Sequence, residues 1–260
     1  YDCGPAALAT VLGAAGIHRT PEQLLPQVYL PRRQGSLQVE LLGASRRAGA
    51  VPYVLAPRAG DLLREVAAGH PVVVLQNLRW SLLPRWHYAV VVGYDLAAAT
   101  LTLRSGTFQR LVMPLEEFTR TWALGERWAF VALPPGQMPA TAREADYVAA
   151  VAAFERVDPA LAPRAYETAL RAWPGNLFAR LALGNAAYRQ RQLDLAITHY
   201  RKATRDHPES GDAWNNLAQA LFELGRGQEA LEAARRAVAA GGQRLPVYAG
   251  TLGRIEQAVG

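Results

Sequence analysis

The 260-residue chain has one cysteine, Cys3, and one lysine, Lys202, against 27 arginines. A single thiol forms no internal disulfide, and a four-cysteine zinc site is excluded. No apolar run approaches the ~18–20 residues that span a bilayer as a helix. GxGxxG, Walker A and HExxH motifs are missing, which leaves nucleotide-binding and zinc-protease chemistry without support. Gly and Pro, at 22 and 17 residues, stay near ordinary usage and exclude collagen-like or low-complexity sequence.

What is present is an ordinary globular composition, 50% hydrophobic and 19% charged. The formal charge is +6. Residues 1–140 hold 13 basic and 9 acidic side chains, and residues 141–260 hold 15 and 13. Neither half is a basic block, so no nucleic-acid partner is expected. The arginine bias fits the codon usage of a GC-rich genome. Tyr1 opens the chain. Any signal or lipid-anchor segment would lie upstream, and its removal would imply a periplasmic or anchored location.

Composition changes near residue 135. The first part carries strand-type apolar runs, and the Pro-Gly stretch 134–142 reads as a linker. The expected elements before it are helices over 5–15, 21–28, 37–48 and 60–68, and strands over 51–55, 71–76, 87–94, 100–105 and 128–133. A helix followed by an antiparallel sheet predicts an α+β domain over 1–133.

The second part has an internal period of 34. Ala162, Ala196 and Ala230 stand 34 apart, as do Ala169, Ala203 and Ala237, Leu183 and Leu217, Tyr166 and Tyr200, and Pro174 and Pro208. Small residues at fixed places let paired helices approach closely. This pattern resembles the tetratricopeptide repeat. It implies three repeats near 143–176, 177–210 and 211–244 plus a capping helix near 246–258, an all-α domain over 143–260. The first repeat is degenerate, with Asp146 at the usual Trp position and Pro159 in the inter-helix region.

Cys3 falls at the start of the first predicted helix, with Gly4 and Pro5 shaping the turn after it. Backbone N–H groups at a helix N-terminus favour an anion, and the thiolate is the form that attacks a carbonyl carbon. A thiol nucleophile needs a base. Of the five histidines, His199 and His207 lie in the repeats, and His18 and His70 lie in a turn and a loop. His87 opens a strand that aims its imidazole, and is the best candidate.

Together, Tyr-Asp-Cys-Gly-Pro-Ala-Ala-Leu at 1–8 and His-Tyr-Ala-Val-Val-Val-Gly-Tyr-Asp at 87–95 resemble the papain-like bacteriocin-processing cysteine peptidases of double-glycine leaders. Gly35-Ser36-Leu37-Gln38, Pro71-Val72-Val73-Val74 and Trp86-His87-Tyr88 resemble a stand-alone bacterial branch with C-terminal tetratricopeptide repeats. The resemblance implies a papain-like fold over 1–133, Cys3 as nucleophile, His87 as general acid/base, and a peptide or protein substrate without a cofactor. It further implies a carboxylate near residue 105, where this chain has Ser105, and a glutamine upstream of the cysteine. Ser105 is the weak substitute for the carboxylate, because Asp95 sits at the far end of the hairpin. Gln76 and Trp86 are the expected substrate-binding residues, with Trp80 and Tyr88 as further groove candidates. Arg32 and Arg33 read as a solvated pair. The repeats imply a protein partner on their surface. Two other readings stay open: a peptidase-like scaffold without activity, and an acyltransferase using the same Cys–His pair.

Overall fold

The computed structural model describes residues 3–31, 35–79, 85–106 and 108–260. Arg32, Arg33 and Trp80 lie outside the described residues. In chain order the first part contains α1 (Cys3–Ala14), α2 (Pro21–Val28), β1 (Tyr29–Leu30), β2 (Gly35–Ser36), α3 (Gln38–Arg47), β3 (Val51–Val54), α4 (Ala59–Ala67), β4 (Val72–Asn77), β5 (Trp86–Asp95), β6 (Thr100–Ser105), β7 (Phe108–Pro114), α5 (Leu115–Leu124) and β8 (Ala129–Leu133). Only helices follow: α6 (Glu144–Glu155), α7 (Ala162–Ala172), α8 (Leu177–Arg189), α9 (Leu193–Asp206), α10 (Gly211–Glu223), α11 (Gly227–Ala240) and α12 (Leu245–Val259). Two compact units result, Tyr1–Ala165 and Tyr166–Gly260.

The first unit is built on an antiparallel sheet of order β3-β8-β4-β5-β6-β7. α1 lays Leu8, Val11 and Leu12 against Val73, Leu75, Tyr88 and Val90. Leu8 and Leu12 are fully buried. Each buried leucine contributes roughly 1.5–3 kcal/mol of hydrophobic stabilisation, which pins the helix to the sheet and fixes where its N-terminus falls. β4 is buried along its whole length, as Val-Val-Val-Leu between covered faces requires. The β5–β6 turn is closed by Asp95, whose Oδ1 accepts the Ala98 N–H at 2.9 Å, with Ala99 in the left-handed region at φ 51°.

The expected α+β layout is present. Four elements were not read from the sequence: the two-residue strands β1 and β2, and the neighbouring pair β7 and α5. β7 is an edge strand whose Gln109, Arg110 and Val112 are exposed, and its apolar run is only residues 111–113, too short to mark a strand. α5 has the spacing of a helix, with Phe118 and Trp122 buried four apart and Glu116 and Glu117 in its first turn.

In the second unit α8 pairs with α9 and α10 with α11, around a core of Ala196, Tyr200, Leu217, Ala218, Ala230 and Ala234. The small residues at period 34 are contact points. A Cβ on Gly184 would come within 2.4 Å of the Tyr200 ring, and that ring is buried with its hydroxyl donating to Asn185 Oδ1 at 2.7 Å. Gly184→Ala is therefore expected to destabilise this unit by about 1–2 kcal/mol, overpacking outweighing alanine's better helix propensity. Urea unfolding followed by circular dichroism checks it; a stabilised variant would show that the helices have slack here.

Candidate active site

Cys3 is the first residue of α1, partly exposed, and packs on the core cluster that contains Tyr88 and Leu75. Pro5 is tolerated in the first turn because N–H groups there have no intrahelical acceptor. The first turn of the helix, whose N–H groups have no intrahelical acceptor, thus begins at a thiol.

His87 is the second residue of β5, directly opposite Gln76 of β4. Its Nε2 lies 2.7 Å from Ser105 Oγ at the end of β6. The imidazole is held below its ordinary pKa, first by burial and then by the Arg85 guanidinium. Cys3, His87 and Trp86 line one cleft of about 1320 Å³, together with Ser36, Leu37, Tyr88 and Glu126. Trp86 is 53% exposed and offers its ring to whatever enters.

The structure thus brings Cys3, His87 and Trp86 to one cleft and Ser105 to His87. Gln76 is not among the residues lining that cleft. It is 1% exposed, and its Nε2 donates to Thr121 Oγ1 of α5 at 2.8 Å. Gln76 shares a sheet face with the facing His87, but α5 packs on β4 there and takes the amide. Asp95 is occupied by its turn and is far along the strand from His87. Sequence reasoning passed over Ser36. Its signal was only the Gly35-Ser36-Leu37 string, whose position beside Gly4 depends on a two-stranded pairing of β1 with β2.

No group of three or more metal-ligating side chains occurs among the described residues. Among the same residues, no helix is long and apolar enough to cross a membrane.

Residues 1–124 match the profile of the Peptidase_C39 like family, and residues 181–244 match the tetratricopeptide repeat. No curated protein matches the chain. Solved structures do. A C39-like peptidase from Bacillus anthracis is 18% identical, with a TM-score of 0.43, covering 51% of this chain and 88% of its own. MamA is 28% identical with a TM-score of 0.36, covering 40% of this chain. The Sgt2 tetratricopeptide domain from Aspergillus fumigatus is 24% identical with a TM-score of 0.38, covering 42% of this chain and 72% of its own. The match spans 62% of the MamA structure's length. By these matches residues 1–124 are similar to the Peptidase_C39 like family and residues 181–244 to the tetratricopeptide repeat.

Proposed function

We propose that the chain is a cysteine peptidase in which Cys3 attacks the scissile carbonyl and His87 moves the proton. The observation that carries this reading is one cleft lined by a thiol at a helix N-terminus and by an imidazole fixed through its other nitrogen. With Nε2 occupied by Ser105, Nδ1 remains to take the thiol proton. The sulfur–carbon bond forms as that proton passes to His87, and the carbonyl π pair moves onto oxygen. Collapse breaks the C–N bond, and His87 returns the proton to the leaving amine. Water then attacks the thioester with His87 as base, releasing the acid and restoring the thiol. Ser105 is a positioning residue. Trp86 supplies an apolar wall for the substrate, and the buried Gln76 holds α5 on the sheet.

The division into a peptidase domain over 1–133, a connection over 134–142 and three repeats over 143–260 belongs to the same proposal, with the repeats presenting a peptide or partner protein. One observation favours a scaffold of low activity: a hydroxyl rather than a carboxylate faces His87 Nε2. Acyl transfer to an amine instead of water uses the same steps.

A proteome-derived peptide library incubated with the chain, followed by mass spectrometry of the new termini, tests the reading. Cleavage is expected, and Cys3→Ala is expected to abolish it. An amine added to the mixture appears in the products if acyl transfer dominates. No products in any arm would favour the scaffold.

A further inference from the structure

The hydroxyl of Ser36 adds no hydrogen bond to the fold among the described residues. Its Oγ is buried and has no hydrogen-bond partner among the described residues. Buried hydroxyls are nearly always paired, so an unpaired one calls for an explanation. Its position is specific. A Cβ built on Gly4 would come within 2.4 Å of Ser36 Oγ and 2.8 Å of Ser36 Cβ, so the hydroxyl rests on the α1 backbone one residue after Cys3. Only glycine at position 4 permits this approach. Ser36 lines the same cleft as Cys3 and His87.

Two further features hold donors at this spot. The Tyr88 hydroxyl donates to the Ser36 carbonyl at 3.2 Å, fixing the backbone of β2. Burial, and after it Cys3, keeps that phenol well above its ordinary pKa, so it remains a donor throughout the working range. The residue after Ser36, Leu37, is the N-cap of α3 and contributes no side-chain cap, its carbonyl taking the Glu40 N–H at 3.2 Å, so no side chain covers the Gln38 and Val39 N–H groups that open that ten-residue helix. Leu37 and Gln38 also line the cleft. A buried hydroxyl without an acceptor, beside two helix N-termini and a nucleophile, is a donor set waiting for an oxygen.

We propose that the Ser36 hydroxyl donates a hydrogen bond to the oxygen of the carbonyl that Cys3 attacks. This rests on the reading of Cys3 as nucleophile and extends it. As the sulfur–carbon bond forms, the carbonyl π pair becomes a lone pair on that oxygen, and the hydroxyl strengthens its bond to the developing charge. Reaching that oxygen requires the hydroxyl to leave the Gly4 backbone by rotation about χ1.

The experiment separates two reactions of the single thiol. Acylation by N-acetylglycine p-nitrophenyl ester passes through an oxyanion, with the C–O bond to p-nitrophenolate breaking as the intermediate collapses. Alkylation by iodoacetamide displaces iodide at a methylene and makes no oxyanion. Ser36→Ala is expected to slow acylation about 10²-fold and to leave alkylation within about twofold. It is also expected to keep or raise the unfolding midpoint, because it removes an unpaired buried group. Equal rates for acylation in wild type and Ser36→Ala would overturn the inference, and so would a parallel loss in both reactions, which marks a structural role. If wild type neither gains an acyl adduct by mass nor releases p-nitrophenolate faster than Cys3→Ala, the peptidase reading itself fails and this inference with it. An adduct that forms normally in wild type and equally in Ser36→Ala sinks only the role of Ser36.

Discussion

His87→Ala is expected to lower the rate of p-nitrophenolate release from N-acetylglycine p-nitrophenyl ester by about 10²–10⁴-fold, the usual contribution of a positioned acid–base group. Iodoacetamide alkylation of the same thiol should fall with it. A base acts on the thiol before either electrophile is chosen, so loss of His87 is not selective in the way that loss of Ser36 is. The pH profile carries a sign. Burial and Arg85 disfavour the protonated imidazole, so His87 stays neutral, and available as a base, to pH values below the ordinary imidazole range. The acid limb of the acylation rate should therefore lie below pH ~6.5. Ser105→Asp puts a carboxylate at the nitrogen that Ser105 Oγ now approaches at 2.7 Å. That charge favours imidazolium, so the acid limb should move to higher pH while the plateau rate rises, since the proton taken from sulfur is better held. A rate insensitive to His87→Ala, or an acid limb that ignores Ser105→Asp, would mean that the imidazole and the thiol share a cleft without sharing a proton.

The linkage to stability runs in the same direction. A histidine whose folded pKa lies below its unfolded value binds fewer protons folded than unfolded over the interval between them. Its contribution is present above the unfolded value and is lost as pH falls toward the folded one. The site is thus built for the neutral imidazole, consistent with a hydroxyl being the group that faces Nε2.

Much of this was legible in the sequence because the relevant signals are local. Leu8, Val11 and Leu12 sit at helical spacing, and the run Val72–Leu75 is long enough to announce a buried strand. The period of 34 identifies residues that pack between helices, as Ala196, Tyr200, Leu217 and Ala230 do in the core of the second unit. The Cys3 and His87 motifs carry their own flanking residues. The rest depends on pairing between distant segments. Gln76 looked available because it ends a strand, but Thr121 on α5, an element unread in the sequence, takes its amide. Ser36 became visible only when β2 was set against Gly4. Position along a strand says which face a side chain shares, and nothing about which helix covers that face.

The Pro-Gly stretch after β8 read as a linker, and its end is among the most firmly held segments of the first unit. Glu65 of α4 has a fully buried side chain. Its Oε1 accepts the Thr141 N–H at 2.8 Å and the Thr141 hydroxyl at 2.6 Å, and its Oε2 accepts the Ala140 N–H at 3.1 Å. His70 Nδ1 lies 2.7 Å from Oε2. Two residues on, the Tyr53 hydroxyl accepts the Arg143 N–H at 3.1 Å. Glu65→Ala leaves several buried donors without an acceptor, each costing about 1–3 kcal/mol, and opens a cavity as well. A loss of about 3–5 kcal/mol is expected for the first unit, and Glu65→Gln should lose less, because one amide oxygen still accepts while its NH2 meets donors. Hydrogen exchange at the Ala140 and Thr141 amides, alongside the urea midpoint, measures it. If both amides stay protected and the midpoint moves by less than ~1 kcal/mol in Glu65→Ala, water has replaced the carboxyl group and the segment is held by Tyr53 and the α6 contacts alone.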